Sequence, residues 1–370
     1  MSSSSYESIF VRKSLLENLR LDGRGKLDGR EVEIAISRTL AKSMAEICFG
    51  STKVVCLVSG EIVSPFQDRP TEGLIEFSVS LVNNSSLKKN ISVDEAELSR
   101  LLERSIRDSD AIDTESLCII GGEKVWCIRC DLRVLDDGGN LADACSIATM
   151  AALRSFRKPE VSLSQVEMDC SRGSGRIKER PASSSDENIA ISPAMYTAIN
   201  IFEEYEREPT PLALHHTPLC VTLGIFKEPK ADALLIVDPS SLEEAVMDGY
   251  ISFAINAHRE ICAISKPGQQ AVPVSLILQG TQIALARAEV LHVQLNDTLV
   301  SLEGKIAEEK SARLEQLRKS AAIDRKAAGL EAPKGGGAEA IDRNDPILQW
   351  GLLHRPALVR ENTVEKGMKH

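Results

Sequence analysis

At 370 residues, with 43% hydrophobic content, the chain can bury one large core or two modest ones. Its net charge of −10 and pI near 5.3 disfavour wrapping nucleic acid over the whole surface, though an isolated basic patch is compatible with them. With only 4% aromatic residues, base stacking is disfavoured as the main mode of contact. No apolar run approaches a membrane span and residues 1–5 lack a secretory hydrophobic region, so a soluble, intracellular protein is expected. Nine cysteines scattered through strand and helix patterns suit buried thiols in a reducing compartment.

Tyr6 to Leu21 carries Ile9, Phe10, Leu15, Leu16 and Leu19 among basic residues, which predicts a short amphipathic helix that docks on something. Leu21-Asp-Gly-Arg24 and Leu27-Asp-Gly-Arg30 follow and read as turns. Val32 to Ile36, Ala45 to Phe49 and Lys53 to Ser59 read as strands, the last two joined by a Gly50-Ser-Thr52 hairpin connection. Pro65 to Gly73 is a polar loop, and Leu74 to Leu81 returns to strand character. Asp94 to Ile106 predicts a helix buried through Leu98, Leu101, Leu102 and Ile106; at helical spacing, Arg100, Arg104 and Arg107 share a face.

The stretch around which the chain is organised begins with the strand Lys124 to Leu135 and turns through Asp136-Asp-Gly-Gly139. It then enters an Ala- and Ser-rich helix after Asn140, whose small side chains allow close packing against a sheet. Gly138 and Gly139 permit a sharp strand-to-helix turn, and Asn140 is a suitable N-cap. Such a turn is a place where a protein can hold a phosphate.

Val161 to Asp169 is another strand, followed by a polar, Gly- and Ser-rich insertion (residues 171–193) expected to be mobile. Strands resume at Leu219 to Phe226 and Ala233 to Val237, and Tyr250 to Asn256 pairs with Glu260 to Ser265 around Ala257-His-Arg259. A long helix is expected from about Val274 to Leu302, so the second half echoes the first: strands, then a helix on their face. Beyond Gly304 comes a charged, helix-favouring stretch. The linker Pro333-Lys-Gly-Gly-Gly337 follows, then a short apolar segment from Pro346 to Leu353, suited to docking on a partner or on the protein's own body. Cys127 and Cys130 have zinc-like spacing, but a strand puts their thiols on opposite faces; His215 and His216 lack a nearby third ligand, so no metal site is expected.

In their joint order, several stretches carry a resemblance to the RNase PH family. In the first half these are Leu21-Asp-Gly-Arg24, Gly50-Ser-Thr-Lys53, Arg69-Pro-Thr-Glu-Gly73, Glu103-Arg-Ser-Ile-Arg107, Ile112 to Leu117 and Asp136-Asp-Gly-Gly-Asn140. In the second half they are Leu214-His-His-Thr-Pro218, Val237-Asp-Pro-Ser240, Val246-Met-Asp-Gly249 and Asn256 to Ile261. The resemblance implies an α/β (α+β) fold of two duplicated lobes, each a β-sheet with helices on one face, plus a C-terminal helical or flexible tail. It divides the chain into an N-terminal extension (1–30), a first lobe (31–160), a second lobe (161–304) and a tail (305–370).

The resemblance is strongest to ring subunits of the eukaryotic RNA exosome. It implies RNase PH-like ring partners of the opposite class, an RNA-binding cap subunit, associated hydrolytic nucleases and RNA, with no membrane, in nucleus, nucleolus and cytoplasm. Active relatives use phosphate to attack the terminal phosphodiester of RNA, and they carry an arginine where Leu141 stands here. An arginine–phosphate contact is worth about 1.5–3 kcal/mol, more than the roughly 0.3–1 kcal/mol of helix-dipole attraction that remains. No catalytic, cofactor or metal residues are therefore expected, and Arg104 and Arg107 match RNA-contacting positions. The alternative is a working phosphorolytic exoribonuclease using Asp238 and Glu244, which match a pair of acids in active relatives. Otherwise these acids, like Glu243, read as surface acids at a helix start.

Overall fold

In the computed structural model, the helix α3 (Leu141–Ser155) is buried along its whole length except for Arg154. The structure describes residues 5–39, 41–81, 95–167, 178–181, 195–202, 207–227, 233–268 and 271–327. The apolar segment Pro346 to Leu353 and the linker before it lie outside these residues, as does most of the expected insertion 171–193.

Before α3 come α1 (Ser5–Leu16), β1 (Val32–Thr39), β2 (Lys42–Phe49), β3 (Thr52–Val63), β4 (Leu74–Leu81), α2 (Glu95–Leu102), β5 (Cys118–Ile120) and β6 (Lys124–Asp136). They build one sheet in the order β1-β2-β3-β6-β4, with β5 also on β6; only β4 runs parallel to its neighbour. One face carries Ala45, Ile47, Val54, Cys56, Ile128 and Leu132 into the core against α3, while residues such as Met44 and Leu57 point outward. That alternation is the signature of a sheet covered on one side.

After α3 come β7 (Arg157–Lys158), β8 (Val161–Glu167), β9 (Lys178–Pro181), β10 (Met195–Ile201), β11 (Thr210–Pro211), β12 (Leu219–Phe226), β13 (Leu234–Val237), α4 (Ser241–Glu244), β14 (Gly249–Ile255), β15 (Ile261–Ser265) and α5 (Val274–Ala327). The second main sheet has the order β13-β12-β14-β15. β13 pairs only with residues 223–226 of β12. Farther along that edge, α3 takes the place of a strand: Cys220 N donates to Ser146 Oγ at 3.0 Å and Thr222 N to Asp143 Oδ2 at 3.1 Å. One helix thus serves both sheets, and the main core is continuous across them. In the compact body, which ends at Ile306, α5 buries Leu276, Gly280, Ala284, Ala288, Leu291, Leu295 and Leu299 at spacings of three and four.

Two helical expectations need correction. In α1, Ile9, Phe10 and Leu19 beyond it are exposed; Val11 and Leu15, one turn apart, are the residues that bury, against Phe226 and Ile236. Basic residues between apolar ones do not choose the docking face; the surface that receives the helix does. The predicted helix Asp94 to Ile106 is α-helical only over α2 and widens into a π turn at Glu103–Arg107.

Because Ala148 is fully buried within α3, with sheet packed against the helix, Ala148→Leu is expected to overpack the core. A loss of about 1–3 kcal/mol in urea unfolding is the expected outcome.

Candidate functional site

At the turn into α3, Thr52 latches both glycines: its Oγ1 donates to Gly139 O at 2.7 Å and accepts from Gly138 N at 3.2 Å. Gly139 has φ +91°, and a Cβ there would lie 2.5 Å from Ser241 N. The start of α4 therefore presses directly on the turn, and Ser241 N donates to Gly138 O at 3.0 Å. No side chain other than hydrogen fits this approach.

Asn140 occupies the N-cap position but does not cap α3 with its side chain. It sits at φ +56°, and its amide nitrogen donates to Asp143 Oδ2 and Asp238 Oδ1, both at 2.8 Å. Capping needs the side-chain oxygen as acceptor, whereas here the amide is held by its nitrogen, which serves two buried carboxylates that need donors. The Asn140 N–H, aimed into the turn, donates to Glu244 Oε1 at 2.7 Å. A side chain of the protein itself thus supplies an anion at the start of α3.

Asp238, 1% exposed, follows β13 at φ +53°. Arg30 grips it with Nη2 to Oδ1 at 2.6 Å and Nε to Oδ2 at 2.9 Å; Arg24 Nη1 reaches Oδ2 at 2.8 Å, and Arg30 N adds a fourth contact. Arg30 also donates to Gly139 O at 3.0 Å and lies over the Phe49 ring. Arg20, its side chain fully buried, forms a fork on Glu243 at 2.9 and 2.7 Å and donates to Val237 O and Asp238 O. The strap of residues 20–30 is therefore pinned to the loop leading into α4. The Asp-Gly-Arg repeats, read as turns in the sequence, deliver Arg24 and Arg30 to this cluster; the signals in the sequence were their repetition and the part of the first in the family resemblance.

Glu243 and Glu244 are not surface acids. Glu243 is 2% exposed and ion-paired; Glu244 is half-buried against Asn140. Burial pushes Glu244 up to about 7, aided by repulsion from Asp137 and Asp238 and opposed by the Asn140 N–H and by Arg30. Burial likewise raises Asp143 to about 7 despite hydrogen bonds from Asn140 and Thr222. For Asp238 burial also acts upward, but the hydrogen bond and charge of Arg30 and the Asn140 amide together outweigh it, leaving its carboxyl below the usual range.

Leu141 is buried and puts no charge at the turn. Arg104 and Arg107 sit elsewhere, exposed on the π turn; Arg107 pairs with Glu103 at 3.6 Å and Asp108 at 3.4 Å. Among the described residues, neither joins the cluster by a hydrogen bond or ion pair. His216 Nε2 lies 3.2 Å from Ser109 Oγ. The thiols of Cys127 and Cys130 are both buried, and burial raises both.

Residues 28–159 match the model of domain 1 of the 3′ exoribonuclease family, and residues 216–287 match that of its domain 2. The chain is 35% identical over 318 residues to "Exosome complex component RRP45A" of Arabidopsis thaliana, covering 85% of this chain and 92% of that protein. It is 35% identical over 312 residues to the human "Exosome complex component RRP45", covering 81% of this chain and 62% of that longer protein. Among solved structures, a chain of the "archaeoglobus fulgidus exosome with RNA bound to the active site" superposes with a TM-score of 0.59. It is 26% identical, over 78% of this chain and 97% of that one.

Asp238→Asn removes a buried counter-charge, leaving Arg30 uncompensated and Arg24 with Asp22 alone, and is expected to cost about 3–5 kcal/mol in urea unfolding. The titrating acids act in opposite directions. For Glu244 and Asp143, the folded pKa of about 7 lies above the ordinary values of 4.5 and 3.8, so the folded chain holds protons that the unfolded chain releases. Their contribution is complete below the unfolded pKa and is lost as pH rises through about 7. Asp238, with its lowered pKa, contributes above the ordinary carboxylate range and loses that contribution as acid protonates it. In Glu244→Gln, which cannot ionise, the drop in unfolding midpoint between pH about 5 and about 7.5 should be smaller than in the unsubstituted chain.

Proposed function

This chain belongs to the 3′ exoribonuclease family of RNase PH-like proteins, and on that premise we propose that it is a non-catalytic ring subunit of the RNA exosome, of the RRP45 type. In that role it supports 3′-to-5′ RNA processing and decay. Its neighbours are RNase PH-like ring subunits of the opposite class, with an RNA-binding cap subunit and hydrolytic nucleases attached to the assembly. It works in nucleus, nucleolus and cytoplasm.

The observation that carries the absence of catalysis is the state of the turn into α3. The N–H of Asn140 is taken by the carboxylate of Glu244, and Arg24 and Arg30 are spent on Asp238. An incoming phosphate dianion would meet Glu244, half-ionised near neutral pH, beside the apolar Leu141. Phosphorolysis needs the reverse: fixed positive charge and open donors where negative charge gathers. The competing reading uses Asp238 and Glu244 as working acids, but a carboxylate that accepts five hydrogen bonds, as Asp238 does from Arg24, Arg30 and Asn140, has little basicity to offer.

Arg104 and Arg107 are the RNA-contacting residues in this proposal. Their exposure and their helical-turn spacing suit phosphate contacts at the rim of a channel, where a net-negative chain repels RNA only within about 10 Å.

The test incubates the chain, alone and with an RNase PH-like partner, with labelled oligoadenylate in the presence and absence of phosphate. The chain alone is expected to release no nucleoside diphosphate; phosphate-dependent release that Asp238→Asn abolishes would overturn the proposal. In the assembled pair, replacing Arg104 and Arg107 together by Ala should weaken RNA binding about uniformly across sequences and lower the salt slope by about two.

A further inference from the structure

A cavity of about 290 Å³ opens beside the start of α3, and its lining has the opposite sign from a phosphate site. Leu141, Ile225 and Met247 give it apolar walls; Glu97, Glu244 and Asp248 also line it, and the Asp248 carboxylate is already paired with Arg12 at 2.9 Å. Glu97 Oε1 accepts from the Tyr250 hydroxyl at 3.0 Å and Glu244 Oε1 from Asn140 N at 2.7 Å; among the described residues neither of these two acids forms an ion pair. Lys266 also lines the cavity, with its ammonium donating to Gly268 O at 3.3 Å.

A second observation is independent of these acids. Asn140, 2% exposed, lines the same cavity, and its amide oxygen has no hydrogen-bond partner. The orientation of that amide is fixed chemically. Its nitrogen donates to Asp143 and Asp238, neither of which lines the cavity, and the oxygen is the end left without a partner. A buried acceptor without a donor is rare in native proteins and calls for a group that can supply one.

We propose that this cavity binds an organic cation, an alkylammonium or alkylguanidinium group. Its hydrocarbon stem packs on Leu141, Ile225 and Met247, while its N–H donors meet Glu244, Glu97 and the Asn140 amide oxygen. A stem-plus-head cation fits because apolar walls receive methylene groups and carboxylates receive the charged end. The group can arrive as a free amine or as a lysine or arginine side chain of a neighbouring subunit. The inference rests on the cavity lining and does not require the assembly proposed above.

Agmatine is the probe, titrated calorimetrically into the full chain and into the chain assembled with its ring partner, at constant ionic strength. Saturable one-to-one binding to the free chain is expected, weakened about ten- to a hundredfold in Glu244→Gln and in Glu97→Gln. Met247→Trp, which fills the cavity without touching the acids, should also block it, so the test survives if a Gln variant folds poorly. Binding to the free chain but not to the assembly assigns the site to a partner's side chain; binding to both assigns it to a free amine. No saturable binding, or equal affinity after both acids are replaced, overturns the inference. Tighter binding of inorganic phosphate than of agmatine would overturn it too, and would independently count against the non-catalytic reading.

Discussion

The structure depends on one buried carboxylate. Asp238 is held by Arg24 and Arg30 from the strap and by Asn140 from the turn into α3. Residues more than 200 positions apart in the chain converge on it. An isolated carboxylate in this position would be driven to protonate, and isolated guanidinium groups would not enter the interior at all. Bidentate geometry and satisfied lone pairs make the arrangement tolerable, and they make it all-or-none. Once Asp238 is gripped, the left-handed backbone at Asp238 and at Asn140 is fixed. The loop that follows then brings α4 against Gly139 closely enough to exclude a Cβ.

That clamp inverts the electrostatics of a place built for anions. A glycine turn entering a helix presents N–H groups and a positive dipole end, and left alone it would attract phosphate. Here the positive groups nearby are consumed by an internal acid, and the N–H of Asn140 is consumed by another, Glu244. The shape of the turn persists while its charge is neutralised from within. In the proposed reading this opposes phosphate in two ways at once, with a competing anion at Glu244 and an apolar side chain at Leu141.

The central helix was legible because small residues in a 3.6-residue pattern have few other uses; strands of the first sheet were legible from alternation and those of the second, buried throughout in β12, from short apolar runs. The outward-facing Met44 and Leu57 and the inward-facing Ala45 and Cys56 show how far period-two reasoning reaches. It fails where a local pattern has more than one solution. In α1, Phe10 and Val11 are equally apolar, and only the pocket formed by Phe226 and Ile236 decides that Val11 is buried. The π turn at Glu103–Arg107 leaves no mark in the hydrophobic periodicity, because Ile106 is buried in either geometry.

The sequence by itself determined the main strands of the two large sheets, the burial of α3, the position of the glycine turn and membership of an RNase PH-like fold. Each follows from neighbours in the chain or from motifs in a fixed order. It missed the short strands β5, β7 and β11 and the strands β9 and β10, the former of which lies in the insertion read as mobile. Only the tertiary structure decided what the polar residues do. Asn140 could cap a helix or bridge two acids, Glu244 could face solvent or fill a turn, and Arg24 and Arg30 could decorate turns or neutralise Asp238. Those choices turn on which charge lies within 3 Å across a long loop, a distance set by packing and not by sequence spacing.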